Sequence, residues 1–349
     1  MKVQFAKTLR QYNKENLVKD MVAGLIIMAV SIPISMGYAQ IAGLPAVYGL
    51  YGSVFPILIF ALFSTSPQFI FGVDAAPAAL IGSALLSLGV ESGSAEAMHV
   101  VPVLTFFVAL WLLAFYVIKA GKLVNYISAP VMGGFITGIC TTIILMQIPK
   151  LMGGTAGVGE LPELIEHIAG TVSTINVPSI VLGLIALAIL LIAKRVVPKF
   201  PMAVLLMAAG AIMTKVLPIE QWGVKTLDVV ETGLPKWSLP AFTAVPLKEA
   251  VTISLSVAVV IMAETLLAEN NFANKNGYRL NDNQEILAFS MGNFLAAFTG
   301  CCPINGSVSR TAMGEQYQAK TQLTGIVAGL SMIVLLLVGT GFIGYLPVP

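Results

Sequence analysis

The sequence predicts an all-α membrane protein that crosses the bilayer many times, and three observations carry that expectation. Of its 349 residues, 57% are apolar and 10% charged, whereas an average soluble domain carries about a quarter charged residues. The apolar residues are gathered into charge-free runs at 21–73, 100–118, 123–149, 168–193, 286–309 and 321–349, and about 20 helical residues suffice to cross the hydrocarbon core. The few charges fall between these runs with a consistent sidedness.

Punctuation by Gly, Pro and charge divides the runs into helices near 18–42, 46–64, 74–90, 98–118, 124–149, 177–194, 200–217, 247–271, 284–300, 306–317 and 321–345. Residues 1–17, with Lys2, Lys7, Arg10 and Lys14, are too polar for a cleavable signal and form a cytoplasmic lead-in. Basic residues then recur on the same side: Lys119 and Lys122; Lys194, Arg195 and Lys199; Lys275 and Arg279; Lys320. The opposite loops carry Glu91 and Glu96, then Glu160, Glu163 and Glu166. This predicts a multi-pass protein of the cell's inner (plasma) membrane with a cytoplasmic N-terminus. Residues 218–246, of mixed charge and containing Pro218, Pro235 and Pro240, form an external loop between two halves, 18–217 and 247–349.

Net charge is +2 and no basic block interleaved with aromatics appears, so no nucleic-acid partner is expected. Cys140 and the adjacent Cys301 and Cys302 have neither disulfide-framework nor metal-ligand spacing, and His99 and His167 are isolated. No metal or cofactor is expected. No paired acid and base or nucleophile constellation supports an enzyme.

Two segments are odd in the same way. The third is entered through Phe69-Ile-Phe-Gly-Val-Asp-Ala-Ala-Pro77 and the tenth through Gly300-Cys-Cys-Pro-Ile-Asn-Gly306; both are short and open on Gly and Pro. Their spacing puts them at equivalent places in two halves of seven helices, and an odd repeat inverts the second half. Interrupted helices at matching positions point to a midplane substrate site. A helix that starts inside the membrane leaves its first N–H groups unpaired and a partial positive charge at its tip, which an anion satisfies.

Further residues carry a resemblance. Tyr38-Ala-Gln-Ile-Ala-Gly43 followed by Pro45-Ala-Val-Tyr48-Gly-Leu-Tyr51-Gly-Ser53, then Asn276-Gly-Tyr-Arg-Leu-Asn-Asp-Asn-Gln-Glu285, Gly292-Asn293, Pro303-Ile-Asn-Gly-Ser-Val-Ser-Arg310 and Ala319-Lys-Thr-Gln-Leu-Thr-Gly325 resemble, in order and spacing, the sulfate permease (SulP) anion transporters, which include the animal motor protein prestin. The resemblance implies a uracil-permease-like fold of fourteen helices in a seven-plus-seven inverted repeat. Segments 1–4 and 8–10 would form a core domain and segments 5–7 part of a gate domain. It also implies that the last gate helices and a STAS domain lie beyond Pro349. Two departures stand out: Pro33 is followed by Ile34 where the family often has Gln, and Gly72-Val73-Asp74 stands where many members have Gly-Pro.

The resemblance implies a secondary active transporter of a small anion of the sulfate, bicarbonate or dicarboxylate class. Ser307, Val308 and Ser309 would present the anion with hydroxyl and backbone groups, Arg310 a positive field, and Ala75, Ala76 and Tyr38 the opposite wall. Phe71 and Tyr51 fit packing better than the site. Glu264 lies deep in its segment, where a carboxylate costs a few kcal/mol unless protonated or paired, and in relatives a carboxylate at this place couples transport to a cation. Ala268 stands one turn later, where sodium-coupled members carry a hydroxyl, which favours protons over sodium. Asp74 is either a helix cap or a second coupling residue, and Glu269 is expected at the cytoplasmic end of its helix. The expected partners are thus a small anion, a proton, the bilayer and a second copy of the chain in a homodimer. The alternatives are a nucleobase permease of the same fold and a non-transporting, voltage-responsive or scaffold protein.

Overall fold

The computed structural model describes residues 5–10, 13–122, 129–157, 161–197 and 200–348. Lys2, Glu160 and Lys199, and the start of the fifth expected segment, lie outside these. The helices are α1 (Leu17–Ile41), α2 (Val47–Gly52), α3 (Phe55–Phe63), α4 (Ala75–Ser87), α5 (Ala97–Val117), α6 (Ala129–Leu151), α7 (Leu161–Val172), α8 (Val177–Val196), α9 (Met202–Val216), α10 (Leu247–Asn276), α11 (Asp282–Phe298), α12 (Val308–Gln316) and α13 (Leu323–Val338). Among the described residues, α5, α8, α10 and α1 with the turn before it are long and apolar enough to cross a membrane.

Local chemistry sets most boundaries. Asn176 begins α8 by accepting the Ser179 N–H at 2.9 Å, with Pro178 in the first turn, where its missing N–H costs nothing. Asn281 does the same for α11 through Gln284 N, and α10 ends on Gly277 at φ 72°, a left-handed stop that glycine adopts without strain.

Several expectations are corrected. The segment expected at 46–64 is two helices, because Pro56 in the first turn of α3 cannot donate to the turn before it and the chain breaks at Ser53–Val54. Residues 161–172, expected as loop, form the amphipathic α7. The last segment stops at Val338 and continues as a 3₁₀ turn, Thr340–Tyr345. The chain is mostly rather than wholly helical: β1 (Phe71–Gly72) and β2 (Asn305–Gly306) pair antiparallel, Phe71 opposite Gly306 and Gly72 opposite Asn305.

The chain divides into two compact units, 1–136 with 234–333, and 137–233 with 334–349. In the first, α11 packs against α5 and α3, and α10 against α5 and α4. Phe60, Phe71 and Phe289 stack with centroids 4.7 and 5.6 Å apart along the series, and Ile27, Ile57, Ile70 and Ala328 form a second buried cluster. Asp20, fully buried, accepts from Lys320 N (2.6 Å), Thr321 N and the hydroxyls of Thr321 and Thr324. It thereby ties α1 to the start of α13. The second unit contains α7, α8 and α9. It is pinned by Asn176, whose side chain also donates to Trp222 O at 2.8 Å, and by a bridge between Thr226 and Pro347. Along α8, Leu184, Ile185, Leu191 and Ile192 stay exposed, as side chains facing lipid do.

Candidate functional site

The strand pair is the keystone of the first unit. It draws the chain just before α4 and just before α12 side by side, so the two short helices begin next to each other. Ser307 N–H extends the ladder to Ile70 O at 2.8 Å. Thr311 Oγ1 accepts from Ile70 N at 3.0 Å, and Thr265 Oγ1 of α10 accepts from Gly306 N at 3.1 Å.

The residues around this pairing explain the motifs. Asn293 clamps the approach to β2, accepting from Ile304 N (2.9 Å) and donating to Ile304 O (3.0 Å). Gln322 donates to Ser66 O and Phe69 O, and Gln68 to Ala319 O, which holds the approach to β1. Glu285 accepts from Ser64 Oγ, Thr65 N and Thr65 Oγ1. Gly306 is required because a Cβ there would lie 2.1 Å from Phe69 Cε1.

Arg310 is 1% exposed. Its guanidinium donates to Val73 O and lies 3.7 Å from Asp74 Oδ2. It sits under β1 so closely that a Cβ on Gly72 would be 3.0 Å from Nη1. Asp74 spends its other oxygen on the Ala75 N–H at 2.8 Å, so it both caps α4 and pairs with Arg310. Ser307 caps α12 by accepting from Arg310 N at 3.5 Å, and its hydroxyl is 3.3 Å from that of Ser309.

Glu264, partly buried on α10, accepts from Asn305 Nδ2 at 2.8 Å. Tyr38 lies within the electrostatic reach of Asp74, Arg310 and Glu264. The structure therefore gathers Tyr38, Asp74, Ala75, Ala76, Glu264 and Ser307 to Arg310 around one point. Val308 and Ser309 are its exposed rim, Ala76 is half-buried, and Ala75 and Ser307 are buried. Phe71 belongs to the core and Tyr51 stacks edge-on with Tyr48 at 5.6 Å. Asn305, Thr265 and Val73 were not singled out as site residues. Asn305 was legible as part of the Pro303-Ile-Asn-Gly motif, while Thr265 and the carbonyl of Val73 carry no sequence signal.

Glu269 is a correction. It is fully buried rather than at a solvated helix end, because α10 runs on to Asn276 and α11 folds back against it. Among the described residues no group of three or more His, Cys, Asp and Glu side chains is placed to hold a metal. Cys301 and Cys302 are buried free thiols with sulfurs 3.9 Å apart, and Cys140 is exposed.

The sequence profile of the sulfate permease family matches residues 17–349. The chain belongs to that family. Among its sulfate permease relatives, a probable sulfate transporter of Mycobacterium tuberculosis is 27% identical over 339 residues, covering 97% of this chain and 60% of the relative. Sulfate transporter 2.1 of Arabidopsis thaliana is 30% identical over 353 residues, covering 97% and 52%. The chain thus spans about half to three-fifths of the length of these relatives. Among solved structures, the murine solute carrier 26 family member A9 anion transporter in its inward-facing state superposes with a TM-score of 0.83 at 23% identity, covering 98% of this chain and 60% of that one. The transmembrane domain of a cyanobacterial bicarbonate transporter, BicA, superposes with a TM-score of 0.80 at 20% identity, covering 97% and 86%. This sulfate permease family member is a multi-pass, mostly helical membrane protein with the fold of those two transporters, and the named relatives are transporters rather than enzymes.

Proposed function

We propose that this chain carries the membrane part of a secondary active transporter for a small anion of the sulfate, bicarbonate or dicarboxylate class, driven by protons. The observation that carries the reading is the pairing of β1 with β2, which sets two helix starts beside each other above the buried guanidinium of Arg310. The first-turn N–H groups not taken by the caps, that of Ala76 on α4 and those of Val308 and Ser309 on α12, lie at the positive ends of the two helix dipoles. The names of the relatives, sulfate transporters and a bicarbonate transporter, support the same substrate class.

Charge balance argues for the proton. Asp74 and Arg310 compensate each other at 3.7 Å, and ionised Glu264 leaves the group one charge negative. An anion entering such a site meets repulsion; protonating Glu264 removes it. Anion and proton then load together, and the core can reorient without an unpaired carboxylate. In this reading the unit built from 1–136 and 234–333 is the core, 137–233 belongs to the gate, and 18–217 and 247–349 are inverted halves of a seven-plus-seven repeat. The N-terminus is cytoplasmic.

The test is uptake of labelled sulfate, bicarbonate, succinate and uracil into proteoliposomes holding the full-length protein, under an inward proton or sodium gradient. Proton-driven accumulation of one of the anions is expected. Accumulation of uracil alone, or no flux of any solute, would refute the proposal.

A further inference from the structure

Glu269 stands apart from the site just described. It is 0% exposed, and neither carboxylate oxygen has a hydrogen-bond partner among the described residues. The groups that act on its charge are themselves acidic, Glu285 foremost and then Asp282, both from α11. Tyr278, on the connection between α10 and α11, faces the same cluster.

The polar groups of this cluster have other partners. Glu285, also 0% exposed, takes Ser64 Oγ at 2.7 Å, Thr65 N at 2.6 Å and Thr65 Oγ1. Asp282 takes Asn270 Nδ2 at 3.0 Å. The Tyr278 hydroxyl is 3.2 Å from Ser66 Oγ, and burial pushes its pKa up to about 12, so it remains neutral. Among the described residues, none of these groups donates to Glu269. Two adjacent carboxylates in a dry site do not both ionise, and the one without donors keeps the proton, because an unpaired buried charge is costly while a neutral acid is much less so.

We infer that Glu269 is a proton-binding site separate from Glu264, in which Glu269 holds the proton and its neighbour Glu285 remains the anion. Five residues separate the two acids on α10, a rotation of about 500° and a rise of about 7.5 Å, so they address different faces of the helix. The proton binds a carboxylate oxygen of Glu269 and returns to water when the group ionises. Glu285 anchors Ser64 and Thr65, which open the stretch leading to β1 and α4. Ionising Glu269 therefore places a second negative charge beside the anchor of one wall of the anion site, which links proton occupancy here to the geometry of that wall. The inference does not depend on Glu264 being the coupling residue.

Infrared difference spectroscopy of the full-length protein in nanodiscs tests it, reading the C=O stretch of protonated carboxylic acids at neutral pH. Glu269→Gln should lose one protonated-carboxyl component, and that component should survive in Glu264→Gln. Glu285→Gln should shift the pH at which it disappears, since the neighbouring charge has gone. A neutral-pH spectrum unchanged by Glu269→Gln overturns the site, and an unmoved midpoint in Glu285→Gln overturns the pairing. Should Glu269→Gln fail to fold, Glu269→Asp serves: a displaced carboxyl band supports the inference, and a spectrum identical to the parent's overturns it.

Discussion

Replacing Arg310 by alanine removes the one cation that, among the described residues, is buried beneath the paired helix starts. The Arg310 and Asp74 charges are 3.7 Å apart, with side chains 2% and 16% exposed. At an effective dielectric constant of about 20 that separation is worth about 4 kcal/mol. The Arg310→Ala protein keeps Asp74 uncompensated, so an arriving anion loses the attraction of the guanidinium and meets the repulsion of the carboxylate with nothing to offset it. A net effect of about 3–4 kcal/mol corresponds to roughly a 10²–10³-fold rise in Kd. Asp74→Asn in the same background should recover at least roughly tenfold, because it removes the stranded carboxylate while its amide can still cap α4. Equilibrium binding of the labelled anion to purified full-length protein, with monodispersity checked in each variant, gives all four corners of the cycle. An Arg310→Ala affinity within about twofold of the parent, or a double variant no better than the single one, would show that the guanidinium only props β1 from below through Val73 O and does not act on substrate.

Other changes probe different links. Glu264→Gln keeps the shape and the contact with Asn305, so it should abolish proton-driven accumulation while preserving anion exchange at equal pH; accumulation that still follows the proton gradient moves coupling to another residue. Gly306→Ala would put a Cβ 2.1 Å from Phe69 Cε1 and 2.5 Å from Thr265 Cγ2, overpacking worth about 1–3 kcal/mol. It should abolish anion binding at unchanged helical circular dichroism, and normal affinity would refute the need for close β1–β2 approach. Asp20→Ala strands the donors of Lys320, Thr321 and Thr324 at a cost of about 3 kcal/mol. It should lower the thermal midpoint without changing anion selectivity, and an unshifted midpoint would refute the tie between α1 and α13.

The sequence by itself determined the membrane class, most helix positions and the two interrupted helix entries that make up the candidate site. Those are local properties: a helix that crosses lipid must satisfy its backbone internally and cover itself with apolar side chains, so charge-free length is a direct signal. The two interrupted entries around Asp74 and Gly306 were legible for the same reason, since Gly and Pro punctuate a helix wherever it lies. Only the tertiary structure decided what those entries do to each other. The β1–β2 pair joins residues more than two hundred positions apart, and two residues of strand leave no periodic pattern to detect. It also decided which carboxylates are buried. Asp20, Glu269 and Glu285 all sit near predicted helix ends, where sequence suggests solvent. Burial is set instead by what folds over them: α13 starts against Asp20, α11 returns against α10 over Glu269, and Ser64 and Thr65 close on Glu285. Whether a charge is solvated, paired or protonated depends on that enclosure, which is a property of packing and has no local code.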